Sequence, residues 1–387
     1  MSLMEDSFSL KQPYKTPAFI YNLGEVKKRI AFLSQIRNES NCKILYSVKP
    51  LPLYRVLEEM EPLDGFSVSS FFEARLVQKA CKNGKEIHFI SPGIKNEQWE
   101  DISTAVNYLT FNSLEQLSYF EAKLRKQSYG IRVNPEISLI EDPRYNPCRE
   151  FSKLGVPIAQ IKNKISDDTD FFKKIEGIHF HTNFESRDFS HLTETVSKLR
   201  TELADELKRF KWINLGGGYF FEESENLSLF YELVDELSDN YDFDEIIIEP
   251  GSFLVRDSGY LVSSVIDLFQ RDGGNIAVLD TTVNHLPEVF EYQYEPDVLG
   301  DDFSNKNEYI LAGSSCLAGD IFGVYRFENE LELGSKVIFE KVGSYSLVKA
   351  HTFNGINLPD VYCLEDDTGL KRVKNFTLEQ YMHYYGG

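Results

Sequence analysis

Four apolar stretches of this chain end in residues that could do chemistry. Lys49 follows Ile44-Leu45-Tyr46-Ser47-Val48, His181 closes a run that begins at Gly177, Gly216-Gly217-Gly218 follow Trp212-Ile213-Asn214-Leu215, and Glu249 follows Ile246-Ile247-Ile248. Arg132 and Asn134 end a fifth stretch. A lysine on an apolar strand loses solvent, which lowers its pKa and frees a neutral amine for Schiff-base chemistry. Taken alone, such a lysine is more often a solvated strand terminus. Consecutive glycines let backbone N–H groups approach a phosphate closely, although a plain tight turn uses them too. A carboxylate buried behind three isoleucines needs a cationic or donor partner. A protonated pyridine nitrogen is one such partner, and an ion pair with Arg132 is another. His181 either stacks on a ring or is a satisfied core histidine, and His179 shares its side of the strand.

One cofactor accounts for all of these types together. Pyridoxal phosphate takes a lysine amine at its aldehyde, needs a phosphate cradle, and withdraws electrons best with a carboxylate at its ring nitrogen. Further along, Cys316 and Asp320 lie in Gly313-Ser-Ser-Cys-Leu-Ala-Gly-Asp-Ile-Phe-Gly323. A loop so rich in glycine brings its backbone close to something. A thiol there could return a proton to a carbanion, or could be an inert buried cysteine.

These residues need a scaffold that gathers them. Strand-like runs are expected at 43–48, 65–68, 87–91, 108–111, 129–133, 177–181, 212–215 and 245–249, with helix candidates between them such as 54–61, 71–80, 113–126, 191–208 and 227–237. Eight alternations within about 230 residues suit an α/β fold of the (β/α)8 barrel type, for which roughly 250 residues are typical. Barrel enzymes carry their chemistry at the C-terminal strand ends, where Lys49, Arg132, Asn134, His181, the glycine triplet and Glu249 fall. An open doubly wound sheet would more often place a phosphate fingerprint after its first strand, and none is present. Beyond Gly251 helical periodicity gives way to short alternating stretches at 259–269, 275–279, 309–312 and 336–340. A C-terminal all-β domain is expected there, joined by an N-terminal strand at 16–22. The expected division is a barrel over 23–255 and a β domain from 1–22 and 256–387, with residues 297–307 as an exposed loop.

Composition narrows the class. The 387 residues, 42% hydrophobic and 13% aromatic, suit a globular enzyme rather than a disordered chain. No apolar run approaches the ~20 residues that span a bilayer, and residues 1–11 lack the features of a secretory leader. The five scattered cysteines form no CxxC, so no metal and no disulfide framework is expected. A cytoplasmic setting is the simplest one. A formal charge of −20 argues against nucleic acid or anionic membrane and suits a cationic small substrate.

The motifs as a set carry a resemblance. Tyr46-Ser-Val-Lys-Pro50, Phe180-His-Thr182, Gly216-Gly-Gly218, Glu249-Pro-Gly251 and Cys316 occur in the order used by the ornithine and diaminopimelate decarboxylases, enzymes of the alanine-racemase fold. Phe66-Ser-Val-Ser-Ser-Phe-Phe-Glu-Ala-Arg-Leu76, Tyr145-Asn-Pro-Cys148, Lys153-Leu-Gly155, Leu279-Asp280, His285-Leu-Pro287 and Phe353-Asn-Gly-Ile-Asn-Leu-Pro359 more closely resemble the carboxynorspermidine/carboxyspermidine decarboxylase family. That resemblance implies that Lys49 carries pyridoxal phosphate, His181 stacks on its ring, Glu249 meets the ring nitrogen and Arg132 lies nearby. Gly217, Gly218 and Tyr345 would hold the phosphate. Asp280 and Asp320 would bind substrate amines, with His285 and Glu288 as further candidates. Cys316 would be the proton donor, on a loop reaching into the partner's site of a homodimer. The implied reaction is decarboxylation of a small polycationic amino acid to spermidine or norspermidine. Ser67 and Ser252 stand where ornithine-type enzymes have an acidic residue and an arginine, so details of phosphate binding differ. A decarboxylase of another diamino acid, an amino-acid racemase and a non-catalytic binder are the competing readings.

Overall fold

The first strand, β1 (Ala18–Asn22), precedes an 18-residue helix, Leu23–Ser40, and then eight strands alternate with helices: β2 (Lys43–Ser47), β3 (Gly65–Val68), β4 (Glu86–Ile90), β5 (Tyr108–Phe111), β6 (Ser128–Asn134), β7 (Gly177–His179), β8 (Trp212–Asn214) and β9 (Glu245–Ile248). This is a computed structural model, and it describes residues 14–387 apart from Lys82, Asn83, Leu139, Glu141, Glu223, Glu225 and 366–368. Residues 1–11, where no secretory leader is expected, lie outside the described residues. The chain divides into two compact units, Lys27–Leu254 and the remainder, which comprises the stretch ending at Val26 and that from Val255 onward.

Within Lys27–Leu254 every strand from β2 to β9 pairs in parallel with two neighbours. β5 pairs with β6, and β9 pairs back to β2, which closes the barrel. The expected fold is therefore present. Strands covered on both faces read as continuous apolar runs, which is why Ile44-Leu45-Tyr46 and Ile246-Ile247-Ile248 are buried throughout. The expected run 177–181 is shorter, since pairing of β7 stops at His179 and His181 lies just beyond it. The barrel floor is filled by the Trp212 indole, whose Nε1 donates to Ser128 Oγ at 2.8 Å. A Cβ on Gly177 would lie 1.9 Å from that ring, so only glycine fits there. Lys43 joins Glu86 and Glu245 beneath it, and Tyr108 donates to Glu245 at 3.0 Å.

The other unit is built on β1, β10 (Gly259–Arg271), β11 (Gly274–Leu279), β12 (Asn307–Ala312), β13 (Ile321–Phe327), β14 (Lys336–Phe339), β15 (Asp360–Glu365) and β16 (Gly369–Lys374). The order is β13-β12-β11-β10-β1-β15-β16, with β14 also paired to β10. The early strand β1 thus sits between β10 and β15, as a strand returning to the later domain should. The expectation of an all-β domain needs one correction: short helices interrupt it at Pro287–Tyr292, Ser346–Lys349 and Leu378–Tyr384. The first and last of them start from local signals. Pro287 opens the first, and Thr377 with Gln380 forms a reciprocal capping box on the last. No helix among the described residues is long and apolar enough to cross a membrane. The segment 297–307 is mostly exposed, though Val298 is buried and bridges to Phe339.

Candidate active site

Strand register assembles the site. Arg132 on β6 lies opposite His179 on β7, and His179 lies opposite Asn214 on β8. Glu249 follows β9 directly, and its own N–H donates to the Gly216 carbonyl at 2.8 Å. The Ser47 N–H donates to the Pro250 carbonyl at 3.0 Å, so the Glu249-Pro250-Gly251 turn packs beside the strand that ends before Lys49. Lys49, Arg132, His181, the glycine triplet and Glu249, which the sequence spreads over 200 positions, all belong to this one strand-end cluster.

Electrostatics give each member a state. Burial of the Lys49 amine lowers its pKa, and the Arg132 charge lowers it further, while Glu249 and Glu73 act the other way. The Lys49 side chain as a whole keeps solvent access. The groups around the nitrogen set its proton affinity. Burial also brings Arg132 down to about 10, which leaves it cationic at neutral pH. Burial alone would raise the Glu249 carboxyl. His179 and the Asn214 amide outweigh it and hold the group well below the usual carboxylate range. Burial keeps His181 neutral, with Lys49 and Arg132 adding to the effect. The Gly217 N–H donates to His181 Nδ1 at 3.1 Å, so the ring proton resides on Nε2.

The glycine turn is explained by close backbone approach. Gly216 and Gly218 have φ of +71° and +94°, and a Cβ on Gly217 would lie 2.1 Å from the Glu249 carbonyl oxygen. Three strand-end loops therefore meet at this turn, which no side chain could enter. The Gly217 N–H, expected to face a phosphate, is given to His181 instead.

Two members of the cluster were not singled out as site residues from the sequence. Asn214 is 2% exposed and donates from Nδ2 to Glu249 Oε1 at 2.7 Å. Glu73 accepts from the Ser69 N–H at 2.7 Å at the start of the helix Phe71–Ala80; burial raises its pKa, and Lys49 pulls it back. Strand alternation was the available signal for Asn214, since it shares a face with Trp212, which fills the barrel.

The remaining candidates lie in the sheet unit, where most already have partners. Asp280 accepts from Ser263 Oγ at 2.7 Å, the Ser264 N–H at 2.9 Å and Thr16 Oγ1 at 2.6 Å. Asp320, 3% exposed, accepts from the Val283 and Ser315 N–H groups at 2.7 and 2.9 Å. His285 is fully buried with Nδ1 2.8 Å from Thr281 Oγ1, and Glu288 pairs with Lys349 at 2.8 Å. Each of the four thus has at least one partner within the unit, while His285 Nε2 has none among the described residues. Cys316 is exposed, and its N–H donates to Asn354 Oδ1 at 2.7 Å. Tyr345 has a left-handed backbone, φ +61°, ahead of Ser346–Lys349.

The barrel cluster fits pyridoxal phosphate on its own features. It has a lysine amine of depressed pKa, an ionised buried carboxylate, a neutral imidazole and a glycine turn. His179 is 2% exposed, and neither of its ring nitrogens has a hydrogen-bond partner among the described residues. Comparison with known proteins agrees. The chain is 31% identical to a carboxynorspermidine/carboxyspermidine decarboxylase of Campylobacter jejuni, over 95% of this chain and 97% of that one. It is 30% identical to a carboxyaminopropylagmatine decarboxylase of Synechocystis, over 96% and 95%. The crystal structure of carboxynorspermidine decarboxylase from Campylobacter jejuni, complexed with norspermidine, superposes with a TM-score of 0.87 at 28% identity, covering 96% of this chain and all of that one. The family described as pyridoxal-dependent decarboxylase, pyridoxal binding domain, matches residues 23–256. That span is more than half of the sequence and contains the whole cluster, so the chain belongs to the pyridoxal-dependent decarboxylases, enzymes that work with pyridoxal phosphate.

Proposed function

We propose that this enzyme removes the α-carboxylate of a carboxylated linear triamine, carboxynorspermidine or carboxyspermidine, to give norspermidine or spermidine. The observation that carries the reading is likeness over the full length, both units included, to the Campylobacter enzyme of that name. The net charge of −20 supports it, since a polycationic substrate is attracted over long range.

When bound, pyridoxal phosphate supplies an aldehyde that bonds the substrate α-amine and a protonated ring that accepts the electron pair left by carbon dioxide. The protein's own groups do the rest. Lys49 would hold the aldehyde carbon, and its lowered pKa makes its proton easier to lose. Glu249 stays ionised and keeps a proton on the ring nitrogen. His181, neutral with its proton on Nε2, covers a ring face without adding a charge. The glycine turn would bring its backbone close to the phosphate at Gly218, the Gly217 N–H being given to His181, with Tyr345 as a side-chain ligand and Arg132 as a nearby fixed cation. Cys316 delivers a proton to the substrate Cα in the partner copy of a homodimer.

A panel of carboxynorspermidine, carboxyspermidine, carboxyaminopropylagmatine and meso-diaminopimelate tests the substrate, with carbon dioxide release and chromatography of the amine product as readouts. Turnover is expected with both carboxytriamines within about 100-fold of each other, because they differ by one methylene. Preference for diaminopimelate would overturn the reading. Carboxyaminopropylagmatine is the second candidate, favoured by the nearly equal identity to the Synechocystis enzyme.

A further inference from the structure

We propose that Asn214 is a positioning residue that fixes the Glu249 carboxylate and the glycine turn relative to one another, with His179 as its neighbour on the adjacent strand. The proposal deepens the assignment of Glu249 to the ring nitrogen and rests on it. Asn214 ends β8 and is 2% exposed. Its Nδ2 donates to Glu249 Oε1 at 2.7 Å, and its Oδ1 accepts from the Gly216 N–H at 2.9 Å. Exchanging the two ends of the amide would set a carbonyl against a carboxylate and an NH2 against an N–H. Only one orientation satisfies both partners.

The two contacts serve different parts of the cofactor. Glu249 Oε1 is held by Asn214, and Oε2 lies 3.6 Å from His179 Nε2, beyond a hydrogen bond. One carboxylate oxygen is therefore anchored, and the other is left to meet a ring nitrogen. The Gly216 contact sets the first residue of the turn whose next N–H orients His181. A single neutral side chain thus joins the ring-nitrogen partner, the turn assigned to the phosphate and the ring-stacking histidine. Neutrality matters, because a carboxyl at this position would compete with Glu249 for a proton. The row Arg132, His179, Asn214 crosses three adjacent strands at the end of the barrel that carries Glu249. Leaving a buried imidazole without a hydrogen bond is costly, and such exceptions concentrate where function uses them.

The test compares Asn214→Leu, Asn214→Asp and Glu249→Gln. For each, pyridoxal phosphate is titrated into the protein stripped of cofactor, the visible absorbance of the loaded protein is followed against pH, and melting of the stripped protein is recorded. Asn214→Leu is expected to weaken cofactor binding about tenfold or more and to move the pH midpoint of the absorbance. Asn214→Asp keeps an acceptor for the Gly216 N–H, so it should move the midpoint with a smaller loss of affinity. A purely structural role would lower the melting temperature and leave both midpoint and affinity unchanged, which overturns the proposal. If Asn214→Leu does not fold, an unmoved midpoint in Asn214→Asp overturns it alone. A midpoint that moves in Glu249→Gln but in neither Asn214 variant removes only the positioning role. A midpoint unmoved in Glu249→Gln removes the assignment of Glu249 and this proposal with it.

Discussion

Histidines at the residue scale show what burial does to proton affinity. His285 is fully enclosed in the sheet unit, and burial, aided by the His351 charge, takes it from 6.5 down to about 3. Between those values the unfolded chain binds a proton that the folded chain refuses, so stability rises with pH. Its contribution is complete above about 6.5 and is lost as pH falls toward about 3. From pH 6.5 to 5 the loss is about 2 kcal/mol at roughly 1.4 kcal/mol per unit. His179 and His181 are lowered in the same direction and add to it. Urea melts are expected to show this fall, and His285→Gln should flatten it; a slope unchanged in that variant would reject the account. Read from sequence, His285 was a substrate candidate by resemblance, and nothing in His285-Leu-Pro287 reveals enclosure. Lys49 and Glu249 stood out only as a set with the glycine triplet and the histidines, since a charged residue after an apolar strand is by itself as readily a solvated terminus or an ion-pair member. Asn214 did not stand out, because an asparagine at a strand end has many structural uses.

At the scale of elements, the alternation of strands and helices was readable because each barrel strand is covered on both faces and each intervening helix has one apolar side. The β5 strand has the expected bounds, and β4 is displaced by a single residue. The strands Ile321–Phe327, Asp360–Glu365 and Gly369–Lys374 were not singled out. Their burial does not alternate, as the first of them, exposed at Ile321, Val324 and in part beyond, illustrates. The Cys316 loop was recognised as a loop, but its organiser was not. Asp320 accepts from the Val283 N–H, the Ser315 N–H and the Ser315 hydroxyl, and a Cβ on Gly313 would lie 2.1 Å from its Oδ1. Asp320→Ala leaves those three donors without an acceptor, at a cost of about 2–4 kcal/mol. The variant is expected to melt earlier in urea, and Cys316 should be alkylated at an altered rate. Unchanged labelling together with unchanged stability would remove Asp320 from the loop's framework.

The whole molecule adds what neither scale contains. Phe290, Ile321, Val324 and Phe353 are large apolar residues exposed in the sheet unit, and the first and last lie close to the Cys316 loop. Phe290 would touch a Cβ on Gly319 at 3.0 Å, and Asn354 holds the Cys316 N–H. Residues so distant in sequence cannot be read as one patch before the chain is folded. Exposed apolar residues beside the Cys316 loop suit a partner surface, and a second copy is the partner proposed for it. If Cys316 serves the other copy's site, Lys49→Ala and Cys316→Ala damage different halves of each shared centre. Lys49→Ala alone is expected to lose turnover, and Cys316→Ala to form product amine roughly 100-fold more slowly, as loss of a general acid does. Random exchange between the two variants makes half of the dimers mixed, and each mixed dimer keeps one site with both residues intact. About a quarter of the wild-type rate should then return. Subunits of distinguishable mass would verify that exchange took place, and exchange without recovered amine formation would show that Lys49 and Cys316 do not meet across a pair of chains.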